Sequence, residues 1–340
     1  MLHLPVLRGA ESYRSIETRT LLDVATGVPV AEVSQANRGL VSRDMPKLRA
    51  AQSALEAFSM PELLAMLRKA ADLFMDGEVL VDPIDGVMQT PEQYVRMQSA
   101  TTGMPQALCR RNMEKIRFVM AEMSTVLDGL TRGLDLGVLD RGWGHRAGGV
   151  ISYIREADLF GAVLPSNSPG VHSLWIPAIA LKVPLLLKPG SQEPWTPVRI
   201  LQSMAAAGIP REALGFYPTD HGGASDILLK TDRSMVFGDA KTVEPWRLDT
   251  RVQLHGPGWS KLLLGEDRAD DYAEWLELMA TSIAENGGRA CLNASGVWTP
   301  RNGRALGVAL AERLAKIEPL ALDDPNAAIA AFAQPEIAHK

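Results

Sequence analysis

Apolar residues in the first part of the chain recur at helical spacing. Leu48 and Phe58 fall on one face of a helix predicted over 44–58. Asp44 is the candidate N-cap of this helix. Before it, the pattern over 20–33 predicts two extended segments around a turn. The other helices predicted in this region span 62–75, a stretch from 90 to about 101, and 112–130.

The pattern changes after residue 133. Glycines separate short apolar runs over 133–155, which predicts a hairpin. The strands predicted beyond it are 160–164, 184–187, 213–217, 234–237 and 261–264. The helices predicted between and after them are 171–180, 197–207, 225–229 and 270–284. This alternation predicts an α/β fold with a doubly wound parallel sheet, typical of nucleotide-binding domains, although a G-x-G-x-x-G fingerprint is absent from the sequence.

Composition narrows the class of protein. The chain has 340 residues, enough for two domains, and its net charge of −5 argues against a nucleic-acid binder. With only Cys109 and Cys291, we expect no disulfide framework, and a cytoplasmic location is the default. The N-terminus lacks a signal-peptide pattern, and the apolar stretch 174–187 is too short and broken to span a bilayer. We therefore expect no membrane partner, and we predict no metal site.

Two residues at the ends of predicted elements carry groups suited to carbonyl chemistry. Cys291 follows a glycine-rich turn, where open access and backbone N–H groups favour a reactive thiolate. A lone cysteine is more often a buried apolar residue, so that alternative stays open. Asn167 follows the strand 160–164, at the sheet edge where open α/β folds bind ligands. Its amide can hold an oxyanion, or the residue can simply form a turn.

Lys188 and His255 are two further candidates. Lys188 ends the apolar strand 184–187, where a cation can bind ribose hydroxyls or a phosphate. A solvated lysine at the end of an element is the common alternative. His255 lies in a glycine-rich loop and can act as a general base near neutral pH, or it can have no special role. Taken singly, none of these residues identifies a function.

The order and spacing of these segments resemble the aldehyde dehydrogenase superfamily. Residues 22–33 are similar to its N-terminal N-P-A-T-G … A-E-V segment, and 54–72 resembles its first helix pair. The span 133–155 lies where that family has its oligomerisation hairpin. Residues 155–161 resemble its R-E-P-x-G entry to the cofactor domain. The resemblance covers most of the chain.

The catalytic segments follow in the family's order. Cys291 matches the nucleophile of N-x-G-Q-x-C, with Arg289 in place of the glutamine, and Asn167 matches the oxyanion-binding asparagine of P-W-N-F-P. His255 falls on the glutamate of E-L-G-G-K-S, which activates the deacylating water. A neutral histidine can serve as that base. Alternatively, the loss of the carboxylate marks a CoA-acylating branch of the family. The P-S-N-S-P motif at 165–169 also resembles the motif of acyl-CoA-reductase relatives.

The resemblance also implies a site for NAD or NADP. Lys188 matches the lysine of K-P-S-E, and Glu193 is a weak candidate for the ribose-binding glutamate. Asp239 replaces a serine near the cofactor phosphates, where a carboxylate can cap a helix but repels a pyrophosphate. Ser166 replaces the usual tryptophan of P-W-N-F-P. The residues implied to contact the cofactor are Lys188, Pro165, Ser166, Gly190, Gly238 and Asp239.

The implied activity is NAD(P)-dependent oxidation of a small-molecule aldehyde to a carboxylic acid. Cys291 forms a thiohemiacetal and then a thioester, which water or, in the acylating alternative, CoA releases. A missing ribose-binding carboxylate favours NADP over NAD. Two other classes stay open: an inactive, degenerate relative, and a cysteine hydrolase without a cofactor.

The resemblance implies two domains and an oligomer. An NAD(P)-binding domain is expected over 1–249, including the hairpin, followed by a catalytic domain over 250–340. Only 49 residues follow Cys291 (340 − 291), so we expect the catalytic domain to be truncated at its C-terminus. A homodimer or homotetramer is the implied assembly.

Overall fold

Strands β1 to β16 and helices α1 to α13 follow one another through residues 1–332, the part of the chain that the computed structural model describes. The strands are β1 (Leu2–Leu4), β2 (Val6–Arg8), β3 (Glu11–Tyr13), β4 (Thr18–Leu22), β5 (Pro29–Ser34), β6 (Val79–Asp82), β7 (Val87–Gln89), β8 (Trp143–Arg146), β9 (Gly149–Ser152), β10 (Phe160–Val163), β11 (Leu185–Lys188), β12 (Leu214–Phe216), β13 (Arg233–Phe237), β14 (Val252–His255), β15 (Leu262–Leu263) and β16 (Val297–Trp298).

The α-helices are α1 (Arg38–Ala50), α2 (Gln52–Glu56), α3 (Met60–Asp76), α4 (Pro91–Thr102), α5 (Gln106–Ala121), α6 (Met123–Thr131), α7 (Val138–Arg141), α8 (Pro177–Ala180), α9 (Trp195–Ala207), α10 (His221–Lys230), α11 (Ala240–Val243), α12 (Leu276–Ala284) and α13 (Gly303–Leu314). Short 3-10 helices span Pro169–Leu174, Arg211–Ala213, Glu244–Trp246 and Tyr272–Trp275. Among the helices of this described part, none combines the length and the apolar character that a membrane crossing requires.

The central sheet has the strand order β14-β13-β10-β11-β12-β2-β3. Strands β14 to β12 are parallel, whereas β2 and β3 run antiparallel at one edge. The chain enters the parallel part at its middle strand, β10, and continues outward to β11 and β12. It then crosses to β13 and β14 on the other side. This reversal creates a switch point between β10 and β13 and confirms the predicted doubly wound sheet.

The leucines of β11 show how the sheet is buried on both faces. Leu185 and Leu187 belong to the core that the sheet forms with α3, α5 and α9. Leu186 packs on the opposite face with Leu48 of α1 and Ile227 of α10. Such a continuous apolar run is typical of a parallel strand that is covered by helices on both sides. Burying each of these side chains contributes about 2 kcal/mol relative to leaving it exposed.

Helix α1 begins earlier than predicted, and Asp44 is not its N-cap. Asn37 caps the helix instead, because its Oδ1 accepts a hydrogen bond from the Leu40 amide at 2.8 Å. Asp44 lies inside α1 and is almost fully buried. Its carboxylate accepts two hydrogen bonds from the Arg8 guanidinium, at 2.6 and 2.8 Å, and one from the Tyr217 hydroxyl at 3.1 Å. Through Arg8, Asp44 therefore joins α1 to β2.

Removing the Asp44 carboxylate is expected to destabilise the fold. Burial raises the pKa of Asp44, but the hydrogen bonds and charge of Arg8 outweigh it and lower the pKa overall. The Asp44→Ala variant leaves Arg8 without this partner, which should cost about 3 kcal/mol of unfolding free energy. Urea denaturation measures the change. Asp72→Ala, which removes an exposed partner of Arg117, is the control and should cost below about 1 kcal/mol. Equal losses in the two variants would contradict this role.

Other element boundaries shift for local reasons. The helix predicted over 171–180 is a 3-10 helix followed by α8, because Pro177 lacks the N–H that would continue a single helix. The segment predicted over 112–130 is two helices, α5 and α6, which meet at Glu122. A hairpin does form within 133–155, from β8 and β9.

The chain continues beyond the parallel sheet into a smaller unit. Strands β15 and β16 pair in parallel through Leu262 and Val297, and α12 packs beside α13. The boundary at 249 that the resemblance implied stays a prediction. Strand β14 is hydrogen-bonded along β13, so the central sheet itself extends to residue 255.

Candidate active site

A cavity of about 790 Å³ opens at the carboxyl ends of β10, β13 and β14, at the switch point of the sheet. Open α/β sheets bind ligands at this edge. The predicted site residues that line the cavity are Cys291, Asn167, His255, Pro165, Ser166, Gly238 and Asp239. Lys188 and Gly190 line a separate, smaller cavity of about 180 Å³. The structure thus brings the catalytic candidates together and places part of the cofactor set beside them.

A larger cavity of about 880 Å³ lies at the opposite edge of the sheet, near the hairpin. Phe160 and Arg233, the first residues of β10 and β13, line it. Its charged groups are paired, with Lys182 bound to Asp140 at 2.7 Å and Arg233 bound to Glu156. It contains none of the predicted site residues. We therefore assign the chemistry to the cavity at the carboxyl edge.

A tight turn carries Cys291 from the end of α12 into the cavity. Asn286, Gly287 and Gly288 have φ values of 56°, 71° and 73°, all in the left-handed region. Glycine tolerates this conformation without strain, and a Cβ on Gly287 would press into the backbone of Ala330. Cys291 is partly exposed, whereas Cys109 is fully buried in the core. Of the two free thiols, Cys291 is the accessible one.

Buried amides fix the shape of this turn. Nδ2 of Asn112, on α5, donates a hydrogen bond to Oδ1 of Asn286 at 2.6 Å. Asn286 in turn donates from Nδ2 to the Ser168 hydroxyl at 2.8 Å, which joins the turn to the loop after β10. All three side chains are buried. Sequence reasoning missed Asn112 and Ser168 in this role, because their partner Asn286 lies far along the chain.

Asn167 joins the same two loops from the cavity side. Its Nδ2 donates a hydrogen bond to the backbone carbonyl of Arg289 at 2.7 Å. An amide NH2 has two donors, so one remains for a ligand. The backbone N–H of Cys291 has no hydrogen-bond acceptor among residues 1–332. These two groups can supply donors to an oxygen atom held in the cavity.

His255 is the last residue of β14, and its ring stacks on Phe237 of β13. The ring centroids are 4.3 Å apart and the planes are 10° from parallel. Burial lowers the pKa of His255 below its usual 6.5, so the imidazole is neutral at pH 7. Its Nε2 is sealed from solvent without a hydrogen-bond partner in the described chain. Nδ1 is not buried in this way, so the neutral ring can accept a proton at that atom.

The loop after His255 packs directly on the segment that contains Cys291. A Cβ on Gly258 would clash with the backbone carbonyl of Cys291, so only glycine allows this approach. Sequence reasoning named the glycines near His255 as loop formers but missed this contact. The close packing explains how His255, at the end of β14, and the turn that carries Cys291 share one cavity.

Lys188 lies at the carboxyl end of β11, in the smaller cavity. Burial, together with the charge of Arg19, lowers the pKa of Lys188 to about 8. No carboxylate among residues 1–332 forms an ion pair with this ammonium group. Gly190, two residues on, packs so tightly on Pro165 and Ser166 that a side chain would clash with them. That contact forms the wall between the two cavities.

Glu193, the weak candidate for ribose binding, is occupied elsewhere. It is almost fully buried, and its Oε2 lies 2.8 Å from Nε2 of His172. Its Oε1 accepts hydrogen bonds from the amide and the hydroxyl of Thr196 at 2.9 and 2.7 Å. Because Trp175 donates to Nδ1 of His172, Nε2 is the ring nitrogen that carries the hydrogen. Glu193 therefore holds the start of α9 and is not available to a ribose.

Asp239 caps the short helix α11. Its Oδ1 accepts hydrogen bonds from the amide and the hydroxyl of Thr242, at 2.9 and 2.7 Å. These hydrogen bonds lower the pKa of Asp239, which stays charged at the rim of the cavity. The helix-capping role that the sequence allowed is the one that the side chain adopts.

No protein-family profile matches the chain. Its fold is nevertheless similar to solved aldehyde dehydrogenase structures. An NAD-dependent aldehyde dehydrogenase from Sinorhizobium meliloti is 20% identical, with a TM-score of 0.80, over 99% of this chain and 66% of that one. Indole-3-acetaldehyde dehydrogenase in complex with NAD+ is 19% identical, with a TM-score of 0.81, over 99% and 67%. An NADP-dependent enzyme of E. coli is 17% identical, with a TM-score of 0.77, over 98% and 68%.

The similarity extends along the whole of this chain but only part of each neighbour. The chain spans about two thirds of the length of these solved structures. Identities at this level establish the fold and leave the activity to be argued from the site. The fold that the resemblance implied is confirmed: the chain has the fold of aldehyde dehydrogenases.

Proposed function

We propose that this protein oxidises an aldehyde to a carboxylic acid with NAD(P), through a covalent intermediate on Cys291. One observation carries the proposal. Cys291 and Asn167 lie in two separate loops and His255 ends β14, yet all three line one cavity at the carboxyl edge of the sheet. A nucleophile, an oxyanion donor and a neutral base in one cavity form a set suited to acyl chemistry.

The first step belongs to Cys291 and its hydrogen-bond donors. The thiolate adds to the aldehyde carbonyl carbon and forms a thiohemiacetal, which moves negative charge onto the carbonyl oxygen. The free donor of the Asn167 amide and the backbone N–H of Cys291 would stabilise that oxygen. Donors of this kind each contribute roughly 3 kcal/mol to the stability of the transition state.

The residues around Lys188 would hold one side of a dinucleotide. When bound, NAD(P) would supply the hydride acceptor that converts the thiohemiacetal on Cys291 into a thioester. Lys188 supplies a largely buried ammonium group that forms no ion pair within residues 1–332, which favours a ribose or phosphate ligand. Gly190, Pro165 and Ser166 would form the wall beside it, and Gly238 and Asp239 the rim. The Asp239 charge opposes a phosphate at the rim.

His255 would release the acyl group. Its neutral imidazole accepts a proton from a water molecule through Nδ1, and the resulting hydroxide attacks the thioester carbon and displaces the Cys291 thiolate. If CoA were the acceptor, the same base would deprotonate its thiol. No contact in the described chain favours CoA, so we propose hydrolysis and keep acyl transfer to CoA as an outcome of the experiment.

The experiment is stopped-flow absorbance at the NAD(P)H band, with an aldehyde panel, both cofactors, and CoA present or absent. The proposal predicts a burst followed by turnover without CoA. Turnover that requires CoA would favour the acylating alternative. No absorbance change with any pair, from protein shown by circular dichroism to be folded, would favour the inactive relative. Rapid Cys291 alkylation without cofactor binding would favour a cysteine hydrolase.

Replacing Arg19 is expected to reduce affinity for NADP more than affinity for NAD. Arg19 lines the small cavity with Lys188, while Asp220 in the same wall is engaged in capping α10. Two cations and no free ribose-binding carboxylate suit a 2′-phosphate. Arg19→Ala should raise the Kd for NADP by about 10-fold, measured by titration calorimetry. The Kd for NAD should change much less, and the exposed control Arg68→Ala should change neither. An equal loss for both cofactors would contradict this assignment.

We also propose that the β8–β9 hairpin joins copies of the chain into a homodimer or homotetramer. Its side chains Trp143 and Val150, and the following Ile154, are 47%, 65% and 83% exposed. A cluster of exposed apolar side chains on one hairpin is typical of an interface. Analytical ultracentrifugation gives the assembly state.

A further inference from the structure

A segment late in the chain lies against the turn that carries Cys291. We call residues 322–332 the strap and residues 286–291 the turn. Ile329 of the strap pairs with Gly287 of the turn in a parallel β-bridge. Ala330 is buried, and a Cβ added to Gly287 would lie only 2.6 Å from the Ala330 Cβ. The strap and the turn are therefore in direct contact.

The carboxyl end of α4 binds both the turn and the strap. The backbone carbonyl of Thr102, its last residue, accepts a hydrogen bond from Nη1 of Arg289 in the turn. The next carbonyl, that of Gly103, accepts one from the Ala331 amide of the strap at 2.7 Å. Carbonyls at the C-terminal end of a helix have no partner inside the helix, so both bonds satisfy open acceptors. The guanidinium charge also suits the negative end of the helix dipole.

The strap, the turn and α4 thus contact one another in pairs. The strap reaches the turn at Gly287, and both reach adjacent carbonyls of α4. The other end of the strap is fixed as well, because the carbonyl of Leu322 accepts a hydrogen bond from the Gln106 amide of α5 at 2.8 Å. Displacing the strap would therefore remove one of the supports that hold the turn.

We propose that the strap is a positioning element for the nucleophile. Its contacts with Gly103 and Gly287 hold the turn so that Cys291 lies in reach of the Asn167 donor. The inference rests on the proposed function and assigns to it a segment that acts through Cys291. A displacement of about 1 Å in a reacting group can lower a rate by about 100-fold, so loss of the strap contacts should appear in the rate of adduct formation.

Gly103→Ala separates the strap from α4. A Cβ at Gly103 would lie 2.5 Å from the Ala331 carbonyl oxygen, and the φ of Gly103 is 72°. Gly86→Ala is the matched control, because the φ of Gly86 is 69° and an added Cβ would meet nothing within 4 Å. Both variants place alanine in the left-handed region, so the contact with the strap is what distinguishes them.

Hydrogen exchange measured by mass spectrometry tests the contact without any turnover. In Gly103→Ala, the amides of the strap and those of the turn should both exchange at least about 10-fold faster than in the wild type. In Gly86→Ala, both segments should keep the wild-type exchange rates. Faster exchange in the strap with unchanged exchange in the turn would overturn the proposal. Unchanged exchange in the strap of folded Gly103→Ala would also overturn it.

The NAD(P)H burst tests the consequence for Cys291. With saturating aldehyde and cofactor, the burst rate should fall by about 100-fold in Gly103→Ala, whereas the Kd for the cofactor should change by less than about 2-fold. Gly86→Ala should keep both values. An equal loss of burst rate in the two variants would overturn the proposal. A wild-type protein without a burst would overturn the proposed oxidation instead, and hydrogen exchange would still decide whether the strap holds the turn.

Ala330→Asp disturbs the same contact from the side of the strap and leaves α4 unchanged, so the test does not depend on the folding of Gly103→Ala. The new carboxylate would be forced against Gly287, whereas Asn326→Asp adds the same charge at an exposed position of the strap. Ala330→Asp should reproduce the faster exchange and the slower burst, and Asn326→Asp should show neither. Wild-type exchange and burst in folded Ala330→Asp would overturn the proposal.

Discussion

Cys291→Ala is expected to remove the NAD(P)H burst, lowering its rate by at least about 1,000-fold. The reason is that no other group in the cavity can form the covalent adduct from which hydride leaves. Stopped-flow absorbance with saturating cofactor and aldehyde measures the rate. Cofactor binding should remain, because Lys188 and Gly190 lie in the neighbouring cavity.

Cys109→Ala is the matched control for this variant. Cys109 is fully buried on α5, and burial keeps the pKa of its thiol well above the usual range, so it is protonated and inert. The control should retain the burst. A burst that survives in Cys291→Ala but disappears in folded Cys109→Ala would contradict the assignment of the nucleophile.

His255→Ala is expected to separate the two halves of the reaction. The burst should persist, because Cys291 and Asn167 are intact, whereas the later steady-state rate should fall by about 100-fold or more. The acyl group would then accumulate on the cysteine. The exposed His145 of β8 provides the control, and His145→Ala should keep both phases. Loss of the burst together with the steady state in folded His255→Ala would contradict a role confined to deacylation.

The pH dependence follows from the same residue. Burial lowers the pKa of His255 below 6.5, so its base form predominates at neutral pH and is lost as the pH falls through the lowered pKa. The midpoint of the acidic decline in the deacylation rate should therefore lie below pH 6.5. Steady-state rates from pH 5 to 8 test this. A midpoint above pH 7 would contradict a buried, neutral base.

The parallel sheet was predictable because its signals are local. Each buried strand is a short apolar run, such as Leu185 to Leu187, and each crossover helix follows within a few residues. The alternation of the two therefore dictates the doubly wound order. The position of Asn167, just beyond β10, follows from the rule that strand ends meet at one edge. Strand β14 was not among the predicted strands, so the position of His255 at its end was not predicted.

The contacts that shape the site were not predictable, because they join residues far apart along the chain. Asn112 supports the Cys291 turn from α5, and Gly258 receives the backbone of Cys291. Asp44 is a residue type that favours helix N-caps, yet it lies inside α1, where it is buried and pairs with Arg8. Local propensity is overridden in each case by a tertiary partner that the sequence does not name.

The proposed reaction requires an acyl group bound to Cys291, and mass spectrometry of the acid-quenched His255→Ala variant tests for it. The variant is incubated with aldehyde and NADP+, or with NAD+, and then digested. The peptide with Cys291 should gain the mass of the acyl group, with one NAD(P)H formed per adduct. An unmodified Cys291 peptide from folded protein with bound cofactor would contradict it.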